Sequence, residues 1–215
     1  GDAGEPMPFA AAVVGGRSVG TPGTPRLLET IHRRHGRLPW PALFQPAIRL
    51  AEEGFEISPR LAGLIAGDVA TLGRHPATAA YFLDADGAPR KAGTRLANPD
   101  YAATLRTLAA AGADGFYAGP IAEDVVRTVR EAGGRLSLAD LALYRVKERP
   151  PVCGDYRGHA VCGMGPPSSG GVAVAQILGM LARFDLAALG DGPRAWGLVA
   201  DASRLLTQGA LAALL

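Results

Sequence analysis

Cysteine is almost absent: 215 residues hold only Cys153 and Cys162, too few for a disulfide framework or a four-ligand structural zinc site. Long apolar runs are missing too. None approaches the roughly 18 residues that span a bilayer, so no membrane span is expected. Neither sign of charge dominates: 22 Lys and Arg stand against 20 Asp and Glu, interleaved, for a formal net charge of +2. No basic run has the density of a nucleic-acid patch, which excludes nucleic acid as an expected partner. The opening GDAGEPMPFAAAVVGG has no basic start and no long apolar centre, so it is not read as an intact signal peptide. P-loop, dinucleotide fingerprint, His-Glu zinc helix and calcium loop are all lacking, and no cofactor is expected. His32 and His35 share a helical face but have no nearby carboxylate or third ligand, so no metal site is assigned to them.

What is present describes an ordinary globular chain. Apolar residues make up 48% and charged residues 20%, enough for one sizeable core, and residues 1–215 are expected to form a single domain. Segment 12–20, AVVGGRSVG, reads as a short strand with a glycine break. Helices are predicted over 25–36 and, because Pro46 should break the preceding turn, over 46–53 with Gly54 as stop. Ser58-Pro59 opens another helix, with Leu61, Leu64 and Ile65 on one side. YFLDADGAPRKAG suggests a hairpin turning at Asp86-Gly87. Asn98 caps a helix with Tyr101, Leu105 and Leu108 inward, and Ile121, Val125 and Val129 line the next. Ser137 and Asp140 form a capping box. Two strands around Arg157-Gly158 and two final helices complete the pattern. Helices dominate over a few antiparallel strands, so the fold class is α+β.

Two features bear on chemistry. The stretch GMGPPSSGG precedes an apolar helix carrying Val174, Ile177, Leu178 and Leu181, and it is not the Gly-x-Ser-x-Gly elbow of an α/β-hydrolase. A serine at the N-cap satisfies orphan amides, while two glycines permit close approach of backbone or ligand. The helix-cap reading of Ser168 and Ser169 is preferred. Substrate binding by Ser168, Ser169 and Gly170, with a carboxylate docked at the positive end of the helix, is the alternative. In the hairpin, a two-residue turn at Arg157-Gly158 pairs Tyr156 with His159 and, counting outward, Cys153 with Cys162. In a non-hydrogen-bonded pair the Cα atoms stand about 4.5 Å apart, within reach of a disulfide. Two half-buried thiols in a reducing compartment are the other reading.

In order along the chain, VVGGRSVGTPGT, HRRHGRLPWPALFQPAIRLAEEGFEISPRL, NPDYAATLRTLAAAGADGFYAGPIAEDVV, LSLADLALYRVKERPPVCGDYRGHAVCGMGPPSSGG and QILGMLARFDLAALG resemble the large subunit of gamma-glutamyltransferases, which are amino-terminal-nucleophile hydrolases. The resemblance covers nearly all of residues 12–190. It implies part of a four-layer αββα sandwich shared with a small subunit cut from the same precursor. A threonine at the new amino terminus of that subunit would serve as nucleophile and, through its amine, as base. The implied substrates are gamma-glutamyl compounds such as glutathione, and export to the periplasm or medium is suspected, with the cytoplasm as the other possibility. Oxyanion donors and most substrate contacts would lie in the partner, and the arginine that clamps the substrate carboxylate would lie upstream of this sequence. Catalytic residues are therefore expected to be none, and the chain alone inactive. Gly165 departs from the family by replacing a third proline, and the end of the chain is more apolar than usual. Cephalosporin or glutaryl acylases of the same fold are the alternative activity, and a non-catalytic structural chain is the alternative class.

Overall fold

The structure is a computed structural model that describes residues 7–212, with side chains at all of these except 10 and 207–212. Residues 1–6 of the opening read above as no intact signal peptide, and residues 213–215 of the apolar chain end, fall outside the described residues. The chain forms two compact units, one reaching to Val146 and one starting at Lys147.

In the first unit the helices are α1 (Phe9–Val13), α2 (Thr24–His35), α3 (Trp40–Glu53), α4 (Pro59–Gly67), α5 (Val69–Leu72), α6 (Pro76–Phe82), α7 (Pro99–Ala111), α8 (Asp114–Tyr117), α9 (Pro120–Glu131) and α10 (Leu138–Ala142). The strands β1 (Phe55–Glu56) and β2 (Arg95–Leu96) pair antiparallel. Three apolar clusters hold the unit. Ile48 and Ala51 of α3 meet Ala102 and Leu105 of α7. Ile57, Ile65, Leu83 and Leu96 form the second, and Ala113, Tyr117, Ala122, Val129, Leu136 and Leu141 the third.

Local capping explains several boundaries. Ser58 accepts the Leu61 N–H at 3.2 Å and Asn98 the Tyr101 N–H at 2.9 Å, each just before a proline that begins a helix. Ser137 and Asp140 bond reciprocally: the Ser137 amide donates to Asp140 Oδ2 at 2.9 Å and the Asp140 amide to Ser137 Oγ at 3.2 Å. The Ser137 hydroxyl, then its amide, hold the Asp140 carboxyl below the usual carboxylate range.

Several sequence expectations meet the structure here. Segment 12–20 is no strand. Phe9–Val13 is helical, Gly16–Ser18 is a single 3-10 turn, and the Gly16 amide donates to Ala132 O at 3.0 Å instead of to a ladder. Pro46 does not break the helix, since α3 runs from Trp40 through it to Glu53. Only the Ala42 carbonyl loses its helical partner, and Ala42 is exposed to water, while Trp40 packs edge-on to Phe44 at 4.8 Å and donates through Nε1 to Leu108 O at 2.8 Å. The inward face of α7 is Ala102, Leu105 and Ala109, whereas Tyr101 is 54% exposed. Close helix packing favours the small side chains over the ring. The segment after α6 does reverse at Asp86-Gly87, with short antiparallel pairing: the Asp84 amide donates to Ala88 O at 2.8 Å, the Arg90 amide to Phe82 O at 3.1 Å, and Leu83–Pro89 is an isolated bridge. Asp84 Oδ1 accepts the amides of Asp86 and Ala88, and Gly87 has φ +78°. Leu64, expected inward, is also exposed.

The second unit is built from β3 (Val152–Tyr156), β4 (His159–Gly163), α11 (Gly170–Leu181), α12 (Leu186–Leu189) and α13 (Pro193–Ala212). Arg157 and Gly158 both have positive φ, 55° and 79°, as a two-residue type I′ turn requires. The register is Tyr156–His159, Asp155–Ala160, Gly154–Val161, Cys153–Cys162 and Val152–Gly163. Helix α11 lies against both strands and against α13. Leu181 is buried and Ile177 and Leu178 half-buried, but Val174 is exposed.

Candidate functional site

The hairpin leads directly into the serine-glycine stretch. The approach to α11 is a turn, not extended chain: the Ser168 amide donates to Gly165 O at 3.2 Å, and the Pro166–Pro167 peptide is cis. Ser169 occupies the N-cap position, but its backbone is already helical (φ −80°, ψ −17°) and its hydroxyl makes no cap bond. An N-cap serine reaches forward from extended backbone, so this conformation removes the expected cap. Ser168 instead accepts the Gly170 N–H at 3.4 Å, a weak local bond across the start of the helix.

The two glycines differ. A Cβ on Gly170 would meet only Ser168 Oγ, at 3.6 Å. A Cβ on Gly171 would lie 2.5 Å from Met164 O and 2.8 Å from the Gly163 carbonyl carbon. Gly171 is thus the position where the end of β4 and the first turn of α11 touch backbone to backbone. Ser168, Ser169 and Gly170 stand together at a helix start, but neither hydroxyl meets a histidine or carboxylate among the described residues. Nothing there activates a serine. Ser168→Ala and Ser169→Ala should each move stability by no more than about 0.5 kcal/mol, the usual range for surface changes that break no cap. Thermal midpoints of the two variants check this. A midpoint held beside a fall of orders of magnitude in turnover of the complete protein would mark that serine as a substrate contact.

On the outer face of the same hairpin, Cys153 and Cys162 stand 4.1 Å apart at Cα and are joined in a disulfide. Both residues are exposed.

Among the described residues the most buried charge lies in the first unit, where sequence reading placed no site. Glu29 of α2 is 8% exposed. Its carboxylate takes Arg26 Nη1 at 3.2 Å, Arg33 Nη2 at 3.1 Å and the Ala113 N–H at 3.2 Å. Gly112, at φ +66°, leaves the space this carboxylate fills, since a Cβ there would collide with Glu29 Oε1. Arg26 continues to Asp114 at 2.7 Å and lies 4.8 Å over the Tyr117 ring. Burial opposes the Arg26 charge, but the hydrogen bond and charge of Asp114, with Glu29, outweigh it and raise its pKa. Tyr117 donates to Pro22 O at 2.7 Å and stacks on Tyr144 with centroids 5.7 Å apart, and its pKa is raised chiefly by burial. Glu29, through the Ala113 amide, and Arg26, through Asp114, tie α2 to α8, while Arg33 pairs with Glu29 inside α2. The network is a structural tie. Its trace in the sequence was Arg26 and Arg33 one turn on either side of Glu29.

His32 Nε2 is hydrogen bonded to Leu38 O at 2.8 Å, and among the described residues no group of three or more His, Cys, Asp or Glu could hold a metal. No helix there is long and apolar enough to cross a membrane.

An α+β, helix-rich chain of this geometry is the large-subunit portion of an amino-terminal-nucleophile hydrolase fold. It superimposes on the Helicobacter pylori gamma-glutamyltranspeptidase with a TM-score of 0.87 at 33% identity, covering 94% of this chain and 58% of that one. A model of the gamma-glutamyltranspeptidase family matches residues 2–214, and the chain belongs to that family. It is 41% identical over 180 residues to the acylase ACY 1 proenzyme of Pseudomonas sp. (strain V22), covering 84% of this chain and 32% of the relative. It is 37% identical over 194 residues to the glutathione hydrolase proenzyme of Escherichia coli (strain K12), covering 88% of this chain and 32% of the relative. The chain therefore spans about a third of the length of these curated relatives.

Proposed function

We propose that the chain is the scaffold part of an enzyme that transfers or hydrolyses gamma-glutamyl groups, glutathione among them, together with a small subunit from the same precursor. The observation that carries this reading is the match to the Helicobacter pylori gamma-glutamyltranspeptidase along 94% of the chain. In the proposed reaction a threonine at the amino terminus of the partner attacks the gamma-glutamyl carbonyl, its own amine taking the proton. The amine or amino-acid portion leaves, and water or an acceptor amine resolves the acyl-enzyme. This chain contributes the framework: the Glu29 tie in one unit and the hairpin-to-helix seat in the other. Without the partner it is inert, in keeping with serine hydroxyls that meet no base. An exposed disulfide persists in an oxidising compartment, which supports export.

The 41% identity to an acylase proenzyme favours a second reading, in which the acyl group is glutaryl or a cephalosporin side chain. Glutaryl differs from gamma-glutamyl by lacking the α-ammonium. A site built around that charge rejects the analogue lacking it by on the order of 10⁴-fold, whereas an acylase site would not. The test is kcat/KM of the complete protein for gamma-glutamyl and glutaryl anilides, beside this chain alone. Gamma-glutamyl preference in the complete protein, with no turnover by the chain, is expected. Glutaryl preference would establish the acylase, and turnover by the chain alone would end the scaffold reading. Inactivity of the complete protein on both would leave a non-catalytic chain.

A further inference from the structure

The outer face of the second unit's hairpin holds a reactive group that the acyl-transfer chemistry does not use. Cys153 and Cys162 are directly opposed across β3 and β4, bridged, and both exposed. Residues two apart on a strand share a face, so Asp155 and Ala160 flank the bridge, leaving the sulfurs open to a small nucleophile. An isolated two-stranded hairpin is marginally stable in water. The bridge is the covalent part of this one.

On its other side the hairpin supports α11, and the contact is tightest where Gly163 meets Gly171. Strand pairing, the bridge and the helix start are thus linked within twenty or so residues of chain. Disulfides that resist cellular thiols are protected from attack, and exposed ones are the labile members of the class.

We propose that Cys153–Cys162 is a thiol-exchange site. A low-molecular-weight thiol of the cysteine or glutathione class opens the bridge while the protein remains folded, and opening loosens the hairpin that seats α11. The thiol, as its thiolate, attacks one exposed sulfur. A mixed disulfide forms, the Cys153–Cys162 bond breaks, and the departing cysteine takes up the proton the thiol released. A second thiol attacks the mixed disulfide. The products are the small-molecule disulfide and two protein thiols, so two thiols are oxidised as one bridge is reduced. The proposal rests on the hairpin alone and stands whichever acyl group the complete enzyme takes.

The test uses the complete protein without denaturant. Samples equilibrated in glutathione buffers from fully oxidised to millimolar reduced are quenched, alkylated and read by mass spectrometry. Hydrogen exchange is followed over residues 152–171 and, as a folding control, over α7. The expected result is partial glutathionylation and then two alkylated cysteines at millimolar thiol. Exchange across 152–171 rises at least about tenfold, while α7 is unchanged. The Cys153→Ser/Cys162→Ser variant should show the fast exchange at once, with no response to thiol. Three results would overturn the proposal: a bridge that stays closed until α7 also unfolds, a bridge that opens with no change over 152–171, or two free thiols in the untreated oxidised protein.

Discussion

Glu29→Ala is expected to lower the unfolding free energy of the first unit by about 3 kcal/mol. Removing one partner of a buried, hydrogen-bonded pair costs roughly 3–5 kcal/mol, because the other partner stays desolvated and uncompensated. The lower end applies here. Arg33 is largely exposed, with 71% of its side chain accessible, and can turn to water, while Arg26 retains Asp114. What cannot adjust is the Ala113 amide, buried beside the space the carboxylate leaves. Glu29→Gln preserves the volume and an acceptor for that amide, so its cost should be about half. Arg33→Ala should cost no more than about 1 kcal/mol, as exposed ion pairs do. Denaturant unfolding of the three variants at neutral pH orders them. A Glu29→Ala loss no greater than that of Arg33→Ala would show that the buried carboxylate is not the tie described.

The second large effect is expected at Gly171. Its missing side chain lets the first turn of α11 rest on β4, and a methyl there would lie 2.5 Å from Met164 O and 2.8 Å from the Gly163 carbonyl carbon. Both are backbone atoms that cannot rotate away. Gly171→Ala should therefore cost on the order of 1–3 kcal/mol, and Gly171→Val more. Gly170→Ala is the internal control. Space is open at that position, and replacing glycine with alanine in a helical turn is favourable by up to about 1 kcal/mol. Opposite signs at adjacent glycines, read as thermal midpoints, are the expected outcome. Equal losses would mean that the helix start tolerates no side chain at either position, contrary to the contact geometry.

How much of this was legible in the sequence depended on how local the determining physics was. Asn98, Ser58 and the Ser137–Asp140 box were readable because a cap is decided within four residues of chain. The Cys153–Cys162 register was readable because a two-residue turn fixes every pair outward from it. Family membership was readable because five segments resemble one family in order. Failures came where a distant neighbour decides. Nothing near Val13 or Gly16 announces that the Gly16 amide will reach Ala132, so the segment looked like a strand. Pro46 carries a local rule against helices, yet the rule concerns a single hydrogen bond, and Trp40 and Phe44 hold the turn before it. Tyr101 looked apolar enough for the core, but the α3 face needed Ala102 and Ala109. The two serines had the right types for a cap, yet the turn at Gly165–Ser168 delivers Ser169 to the helix already wound. Glu29 was hidden by the usual and mostly correct presumption that glutamate faces water.

The reciprocal bonds at Ser137 and Asp140 also make the first unit's stability a function of acidity. The folded chain holds the Asp140 carboxylate ionised at a pH where the unfolded chain would already have taken up a proton. Above the unfolded carboxylate pKa of about 3.9 this contribution is fully present. It is lost progressively as pH falls from there through the lower native value. Ser137→Ala removes the hydroxyl that keeps the proton off, and with it most of this dependence. Stability curves of the two proteins should run parallel near neutrality and converge in acid, as the native form gives up its advantage of binding fewer protons.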